Sequence, residues 1–265
     1  MTFTEKVKLG KTDLSVGRLG ISCNYGVSSA AMEEAFEKGC NYFHLGYMLI
    51  GRSDETIKTV RNIVRKGKRD ELVLALFSYS HSNLVTDIML SRRLRMMGLE
   101  YADILLMGYY NKRPSERLIR GAMRLKEKGL IRYLGISSHN RKLFPGLAGD
   151  DAFNVFHVRY NAANRGAEKD VFQYMNVNDR PGIVSFTATR WAQLLDPKKM
   201  PAGATVPTAV DCYRFVLSSP FVDVCMTGTR NAAQLKENLS LLESGPMNEE
   251  ELNRMRRIGD HVYSL

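Results

Sequence analysis

The sequence predicts an α/β protein, a (β/α)8 TIM barrel with an N-terminal β-hairpin and a C-terminal helix. Short apolar runs alternate with amphipathic helical segments, and this unit repeats eight times. A glycine turn suited to phosphate binding follows the last strand, where such barrels commonly hold phosphate. The 265 residues suffice for this architecture, and we expect a single domain over residues 1–265.

The strands of the predicted barrel are short and apolar, which favours a parallel sheet covered by helices. A small hairpin is expected first, with residues 6–9 and 14–16 flanking the turn G-K-T-D. The eight barrel strands are then expected at residues 19–22, 40–45, 72–77, 103–107, 131–136, 153–158, 183–187 and 222–226. An open doubly wound sheet is the alternative, but the segment S-C-N-Y-G after the first strand is not its glycine fingerprint.

Capping residues and apolar periodicity place helices between these strands. Four caps are expected in the first half, at Ser28 or Ser29, Ser53, Asn83 and Ser115. The later helices are expected at residues 140–147, 167–175, 207–217 and after Gly228, and the terminal helix at 248–263. Residues 190–205, interrupted by prolines and a glycine, are predicted to form a long rim loop.

Composition limits the class of protein. Lys and Arg exceed Asp and Glu by 38 to 28, which favours anionic partners, but the basic residues are spread over predicted helices. Nucleic-acid binding is therefore a weak alternative, to be recognised by a steep salt dependence. The four cysteines, Cys23, Cys40, Cys212 and Cys225, form no CxxC pair, which indicates reduced thiols in a cytoplasmic protein. We expect neither a signal peptide nor a membrane span.

The carboxyl ends of the predicted strands carry aromatic, hydroxyl and imidazole side chains and almost no carboxylates. In a barrel these ends form the working face, so the composition suits a flat, anionic, partly aromatic ligand and disfavours a paired-carboxylate hydrolase. His44, His139 and His157 end strands two, five and six, but no HxH or HExxH spacing accompanies them, so no metal is expected. Gly228 and Arg230 predict a phosphate site, with an ordinary solvent-exposed turn as the alternative.

These residues together resemble the aldo-keto reductases over nearly the whole chain, from about Val7. The segment R-Y-L-G-I-S-S-H-N resembles the family's strand-five motif, which implies that Ser137 and Ser138 hold a nicotinamide carboxamide. His157 stands where the family usually has Gln, and Phe186 where an aromatic ring stacks on the nicotinamide. The resemblance implies NADP(H) as cofactor, with a site completed by Thr187, Arg190, Gly228, Thr229, Arg230, Gln234 and Asn238.

The reaction centre departs from the family pattern. The family's Asp, Tyr, Lys and His tetrad aligns with His44, with Leu49 or Ile50, with Phe77 and with Gly108. Neither Phe77 nor Gly108 has a side chain that can move a proton. We therefore expect a non-standard donor, with His44 as an imidazolium, Tyr47 and Tyr109 as the candidate catalytic residues, and Tyr79 within reach of the same rim.

The sequence thus predicts an NADP(H)-dependent oxidoreductase that acts on an unknown small molecule. The alternative is a catalytically inactive NADP(H)-binding or partner-binding barrel, because the resemblance extends to the cofactor frame but not to the tetrad. The oligomeric state is not predicted.

Overall fold

The computed structural model describes residues 2–23, 25–46 and 53–265. Eight parallel strands form a closed barrel in chain order, and the last strand pairs with the first. The predicted (β/α)8 barrel is confirmed. The barrel strands are β3 (Leu19–Ser22), β4 (Tyr42–Gly46), β5 (Val73–Ser78), β6 (Ala102–Met107), β7 (Ile131–Ser138), β8 (Val155–Arg159), β9 (Gly182–Phe186) and β10 (Val224–Thr227).

Helices cover the outside of the barrel and pack their apolar faces on the strands. They are α1 (Ser29–Glu37), α2 (Asp54–Arg65), α3 (Asn83–Met97), α4 (Glu116–Glu127), α5 (Leu143–Ala148), α6 (Gly166–Asp170), α7 (Ala209–Leu217), α8 (Ala232–Leu239) and α9 (Glu249–Ser264). The terminal helix begins with a capping box between Asn248 and Glu251, at the residue where the helix was expected to start. Within the described ranges, no helix has the length and apolar character that crossing a bilayer requires.

The predicted hairpin, β1 (Val7–Lys8) and β2 (Ser15–Val16), closes the amino end of the barrel. Leu9, Leu14 and Val16 join the inward side chains of the barrel strands in one buried cluster. Gly10 has φ +51° and lies so close to Gly182 that a Cβ would come within 2.2 Å of its backbone nitrogen. The hairpin therefore fills one opening of the barrel and leaves the carboxyl ends of the strands as the other.

A buried ion pair reinforces this amino end. The guanidinium of Arg180 donates to both carboxylate oxygens of Asp223, at 2.7 and 2.8 Å, and both side chains are almost fully buried. The same carboxylate accepts the backbone N–H of Ile183 at 2.8 Å. The pair thus joins the chain before β9 to the start of β10.

Two helices start at positions other than those expected. Asn83 is the first residue of α3 and not its cap, which is Ser82, and the Asn83 amide donates instead to the Arg117 carbonyl. Helix α7 begins after Thr208, whose side chain forms a capping box with Asp211. Ser82 makes no capping bond with its side chain, whereas the capping box of Thr208 fixes the start of α7 two residues later than expected.

Candidate functional site

The inward side chains nearest the carboxyl ends of the strands form the mouth of the barrel. Successive residues of a strand point to opposite sides, and the buried inner cluster fixes which ones point inward. Tyr42, Ala75, Val155 and Val184 line the lower interior. Two residues further along their strands come His44, Phe77, His157 and Phe186. These four side chains therefore form the floor and walls of the mouth.

Phe77 and Gly108 form one unit in this mouth. A Cβ placed on Gly108 would lie 1.8 Å from Cε1 and 2.0 Å from Cζ of Phe77, so the ring already fills the space of a side chain at residue 108. Phe77 is 6% exposed, and its ring centroid lies 5.4 Å from that of His44 and 4.2 Å from that of Tyr79. The two positions are therefore complementary: a bulky ring on β5 requires the absence of a side chain after β6.

A row of rings continues from Phe77 along the rim. The rings of Tyr79 and Tyr109 are stacked with centroids 5.1 Å apart, Tyr109 lies 6.2 Å from His139, and His139 lies 5.8 Å from Phe186. We call these five residues the aromatic wall. Tyr109 is 62% exposed and holds a left-handed backbone with φ +58°, which a non-glycine residue adopts rarely. The wall thus offers ring surface to a ligand at the open end of the barrel.

His44 and His157 lie side by side beneath this wall, with ring centroids 5.4 Å apart. The ring nitrogen Nε2 of His157 shares a 2.7 Å hydrogen bond with the hydroxyl of Tyr42. Nε2 of His44 is buried and has no hydrogen-bond partner among the residues that the structure describes. An unpartnered buried polar atom is costly, so this nitrogen is a position at which a ligand can complete the hydrogen bonding.

The protonation of His44 corrects one expectation. Burial lowers the pKa of His44 to about 4, so its ring is neutral at pH 7 and not the imidazolium that the sequence predicted. Burial, followed by the neighbouring His44, also lowers the pKa of His157 well below its usual value. A neutral imidazole still carries one N–H group and can donate a hydrogen bond. His44 therefore fits the role of a hydrogen-bond donor better than that of a strong acid.

The other two candidate catalytic residues are Tyr47 and Tyr109. Tyr47 lies outside the described residues, as do Leu49 and Ile50. Tyr109 is part of the aromatic wall. Its ring is exposed and is stacked on the ring of Tyr79.

The two serines predicted to hold a carboxamide have different surroundings. Ser137 is half-buried, points inward and is the direct neighbour of His157 in the ladder between β7 and β8. Ser138 points away from the barrel axis. Its hydroxyl donates to the Tyr110 carbonyl at 2.6 Å and accepts the N–H of Asn140 at 2.9 Å. Ser137 and His157 are thus brought together at the mouth, whereas the Ser138 hydroxyl bonds within the protein.

The loop after β9 has a strained backbone. Thr187, Arg190, Trp191 and Ala192 all have φ between +50° and +66°. Asn161 holds this turn, because its amide donates to the Thr187 carbonyl at 2.8 Å. The hydroxyl of Thr187 is buried and has no partner in the described part of the chain.

Arg190 fastens the same loop to the terminal helix. Its guanidinium donates to the Val262 carbonyl and lies 5.7 Å from the centre of the Tyr263 ring. The side chain of Arg190, a predicted cofactor residue, therefore forms a hydrogen bond and a ring contact with α9.

The predicted phosphate turn lies between β10 and α8. Asn231 caps the helix by accepting the N–H of Gln234, and the Gln234 side chain accepts the N–H of Arg230, each at 2.9 Å. The Arg230 side chain is exposed and forms no ion pair with any residue that the structure describes. Thr229 is buried, and the ring of Tyr25 lies 2.9 Å from the position of a Cβ on Gly228. An exposed cation and an exposed glycine, which is flanked by the Tyr25 ring, thus meet at a helix N-terminus.

Asn238 has a position behind this turn. Its buried amide donates to the Thr227 hydroxyl at 2.9 Å and to the Tyr213 hydroxyl at 3.3 Å. These bonds fix α8 and α7 to the end of β10.

Sequence reasoning missed one contributor to the mouth, Tyr42, and the contacts of two residues that follow predicted strands, Arg159 and Tyr25. Tyr42 supports His157, and strand alternation two residues before His44 was the available signal. Arg159 occupies the inward position after His157. Burial is the main cause of the lowered pKa of His139, and the positive charge of Arg159 lowers this pKa further. The contact of Tyr25 with Gly228 had no signal in the sequence.

The cysteines and the metal-ligating residue types form no further site in the described ranges. All four thiols are free and buried, and burial raises the pKa of Cys23, Cys40 and Cys212 to about 12. No group of three or more His, Cys, Asp or Glu residues is placed to hold a metal ion there.

Comparison with known proteins agrees with the barrel fold. The model of the Aldo/keto reductase family matches residues 19–199. Among solved structures, the holo form of aldo-keto reductase AKR11C1 from Bacillus halodurans superposes with a TM-score of 0.77 at 19% identity, covering 96% of both chains. The thermostable aldo-keto reductase Tm1743, in complex with the inhibitor epalrestat, gives a TM-score of 0.73 at 18% identity, covering 96% of this chain and 99% of that one. No curated protein matches the sequence.

Proposed function

This chain belongs to the aldo/keto reductase family, and we propose that it is an NADP(H)-dependent oxidoreductase with a non-standard reaction centre. One observation carries the proposal: the barrel mouth combines an inward Ser137 and His157 pair with an unpaired Arg230 at a helix N-terminus. Ser137 and His157 can form hydrogen bonds with an amide, and Arg230 at the helix N-terminus can bind a phosphate. The substrate is a small molecule that enters the same mouth.

The residues present fit the cofactor. Arg230, the N-terminal turn of α8 and the exposed backbone of Gly228 would hold the phosphate of the adenosine ribose. Ser137 and His157 would hold the carboxamide, and Phe186 would lie against the nicotinamide ring. The unpartnered hydroxyl of Thr187 supports this fit, because a ligand would supply the hydrogen bond that the buried group lacks. Bound nicotinamide would supply the hydride.

The protein's own contribution is to orient and to stabilise charge. Tyr42 fixes the ring of His157 through their 2.7 Å hydrogen bond. If the Tyr42 hydroxyl donates, the ring proton of His157 is on Nδ1, from which it can be donated to an amide oxygen. The ring of His44 is neutral, and its Nε2 lacks a hydrogen-bond partner in the described residues. This ring would donate a hydrogen bond to an oxygen on which negative charge develops. Tyr109 is a further candidate donor at this mouth, and Tyr47, which lies outside the described residues, stays a candidate from the sequence.

A non-catalytic NADP(H)-binding barrel is the second candidate function. The Phe77 and Gly108 unit favours it, since the Phe77 ring fills the space of residue 108 with carbon that moves no proton. Turnover with an acceptor distinguishes the two functions, whereas cofactor binding is common to both.

Calorimetric titration with NADPH and NADH tests the cofactor assignment. We expect NADPH to bind more tightly than NADH, and Arg230→Ala to weaken NADPH about 10- to 100-fold while leaving NADH nearly unchanged, because one charge-assisted contact is lost. Lys236→Ala is the matched control, since it removes an exposed positive charge from α8, the helix that follows Arg230. Absence of NADPH binding would refute the proposal.

The proposed compartment is the cytoplasm. Four free thiols support a reducing environment, although none of them is exposed.

A further inference from the structure

We propose that the outward face of helices α2, α3 and α4 docks on an anionic lipid bilayer. This face lies on the outside of the barrel, and the inference does not rest on the proposed function. Two features carry it: exposed aliphatic side chains on α3, and a surplus of exposed cations on all three helices. A bilayer with negative headgroups can bind both features at once.

The apolar feature is the N-terminal half of α3. Leu84, Val85 and Ile88 are 70%, 45% and 55% exposed, and positions 84, 85 and 88 are neighbours on a helix surface, so the three side chains form one patch. In α2 and α4, by contrast, every exposed residue is charged. A group of adjacent exposed aliphatic side chains is typical of an interaction surface, whereas single ones are common on any protein.

The patch lies at the mouth end of the barrel. Helix α3 begins after the carboxyl end of β5, so its first turns are level with the open end. Tyr79 of the aromatic wall is in the loop that joins this strand to α3. A barrel that docks through the patch would therefore hold the edge of its mouth beside the lipid surface.

The charged feature is a surplus of cations around the patch. The three helices contain ten Lys and Arg but only five Asp and Glu, and so carry half of the net charge of +10. Three of the acids already have partners, since Asp87 pairs with Lys128, Glu116 pairs with Arg113 and Glu55 accepts the N–H of Ser29. Eight cations are exposed and form no ion pair with a residue that the structure describes: Lys58, Arg61, Arg65, Arg92, Arg95, Arg117, Arg120 and Arg124.

The packing of the helices brings these cations to one face. Helix α3 packs against α2 on one side and against α4 on the other. The Asn83 amide donates to the Arg117 carbonyl at 2.9 Å, which joins the start of α3 to the start of α4. Packed helices are about 8–10 Å apart, and Lys and Arg side chains are long and flexible. Cations from all three helices can therefore meet a surface on which α3 rests.

The combination of aliphatic and cationic side chains favours lipid over other occupants. A second copy of this face would bring like charges together, which opposes self-association. Nucleic acid would match the cations, but unpaired bases are bound by stacking on aromatic rings, and the three helices contain no aromatic residue. At a bilayer, aliphatic side chains enter the interface while cations contact the headgroups. The cytoplasmic leaflet, with its anionic lipids, is a surface of this kind.

Sedimentation with lipid vesicles tests the docking. We expect the protein to bind vesicles of phosphatidylcholine with about 30% phosphatidylglycerol, and not vesicles of phosphatidylcholine alone. The double variant Arg92→Gln/Arg95→Gln should bind the anionic vesicles about 10- to 30-fold more weakly, because each basic residue near such a surface strengthens binding about fivefold. Leu84→Gln/Ile88→Gln should weaken binding at least about 10-fold, because apolar area no longer enters the interface.

Two matched controls change the same kinds of residue outside the face. Lys198→Gln/Lys236→Gln removes two exposed cations, and Val177→Gln/Leu265→Gln removes two exposed aliphatic side chains. At about 0.1 M salt, charges further than about 10 Å from the lipid are screened, so both controls should bind like the wild type. No binding to the anionic vesicles, equal binding to neutral vesicles, or equal losses in the controls and the face variants would overturn the proposal.

Titration with duplex DNA at the same salt distinguishes lipid from nucleic acid. If DNA binds more tightly than the anionic vesicles, and Leu84→Gln/Ile88→Gln changes neither affinity, the face binds nucleic acid and the lipid proposal is wrong. The expected result is weaker binding to DNA than to the vesicles, together with loss of vesicle binding in this variant.

A fluorescent label shows directly whether the patch enters the bilayer. All four native thiols are buried, so a thiol-reactive, environment-sensitive dye should attach selectively to Ile88→Cys. We expect its emission to shift to the blue when anionic vesicles are added, whereas the same dye on Lys236→Cys should show no shift. An unshifted emission from the dye at residue 88 would leave the patch in water and overturn the proposal.

Discussion

Substituting Gly108 by alanine tests the geometry of the reaction centre through its cost in stability. The new Cβ would lie 1.8 Å from Phe77, whereas ordinary contacts are 3.4–4 Å, so the ring has to leave its place. His44 and Tyr79 pack against that ring, and it is 6% exposed, so little free space is available to it. Overpacking of this kind costs about 1–3 kcal/mol of folding stability. Replacing glycine by alanine also reduces the conformational entropy of the unfolded chain, which offsets about 0.4–1 kcal/mol of that cost. We expect a net loss of roughly 1–2 kcal/mol.

A double-mutant cycle, measured by urea unfolding, shows whether this cost comes from Phe77. In a Phe77→Ala background the ring is absent, so Gly108→Ala should cost close to nothing, and the two substitutions should be coupled by about 1–2 kcal/mol. Gly146→Ala in α5 is the matched control, because a Cβ there meets nothing within 4 Å, and it should be neutral or stabilising. Additive effects of the Phe77 and Gly108 substitutions, within about 0.5 kcal/mol, would refute the complementary packing.

Two further predictions concern stability. Because the pKa of His44 is about 4 when folded and near 6.5 when unfolded, the unfolded chain binds the proton first, and stability should fall from about pH 6.5 to 4, by at most about 3 kcal/mol. His44→Gln should lose less over this range in urea unfolding; an equal loss would contradict the assignment. Asp223→Ala removes the carboxylate that pairs with the buried Arg180 and should cost about 3–5 kcal/mol of stability. Asp179→Ala breaks an exposed ion pair with Lys11 and should cost under about 1 kcal/mol. Similar losses for the two variants in thermal unfolding would contradict this prediction.

The architecture was predictable because its signals are local and repeated. Each barrel unit shows the same change from a short apolar run to helical periodicity, and eight repetitions leave few other folds. Local signals also mark helix ends: Gly129, which follows α4, has φ +72°, and a capping box of Asn248 and Glu251 begins α9. Helix starts were less predictable, as Ser82 and Thr208 show, because several neighbouring residues can cap.

The site was predictable only in part, because its properties depend on contacts between distant segments. The ends of two predicted neighbouring strands placed Ser137 and His157 at one edge of the barrel, and the structure makes them neighbours. The contact between Phe77 and Gly108 links two strands, and no periodicity within either strand reports it. The neutral state of His44 likewise depends on its burial by neighbouring segments, which a sequence does not specify.

Polar residue types alone did not show which side chains are available to a ligand. Ser138, Arg190 and Asn238 resemble cofactor residues, yet each has a hydrogen bond within the protein. Such partners come from the strand, helix or loop that packs nearby. The side chains of Arg230 and Ser137 have no such bond in the described residues and are therefore the stronger candidates.

Oxidation of NADPH, followed at 340 nm with the purified protein, tests most directly whether this barrel is an enzyme. With a panel of quinones and carbonyl compounds, we predict acceptor-dependent oxidation that is slowed by Arg230→Ala and by His44→Gln and unaffected by Lys236→Ala. Tight binding of NADPH with no oxidation in the presence of any acceptor would contradict the enzymatic function and leave a barrel that only binds the cofactor.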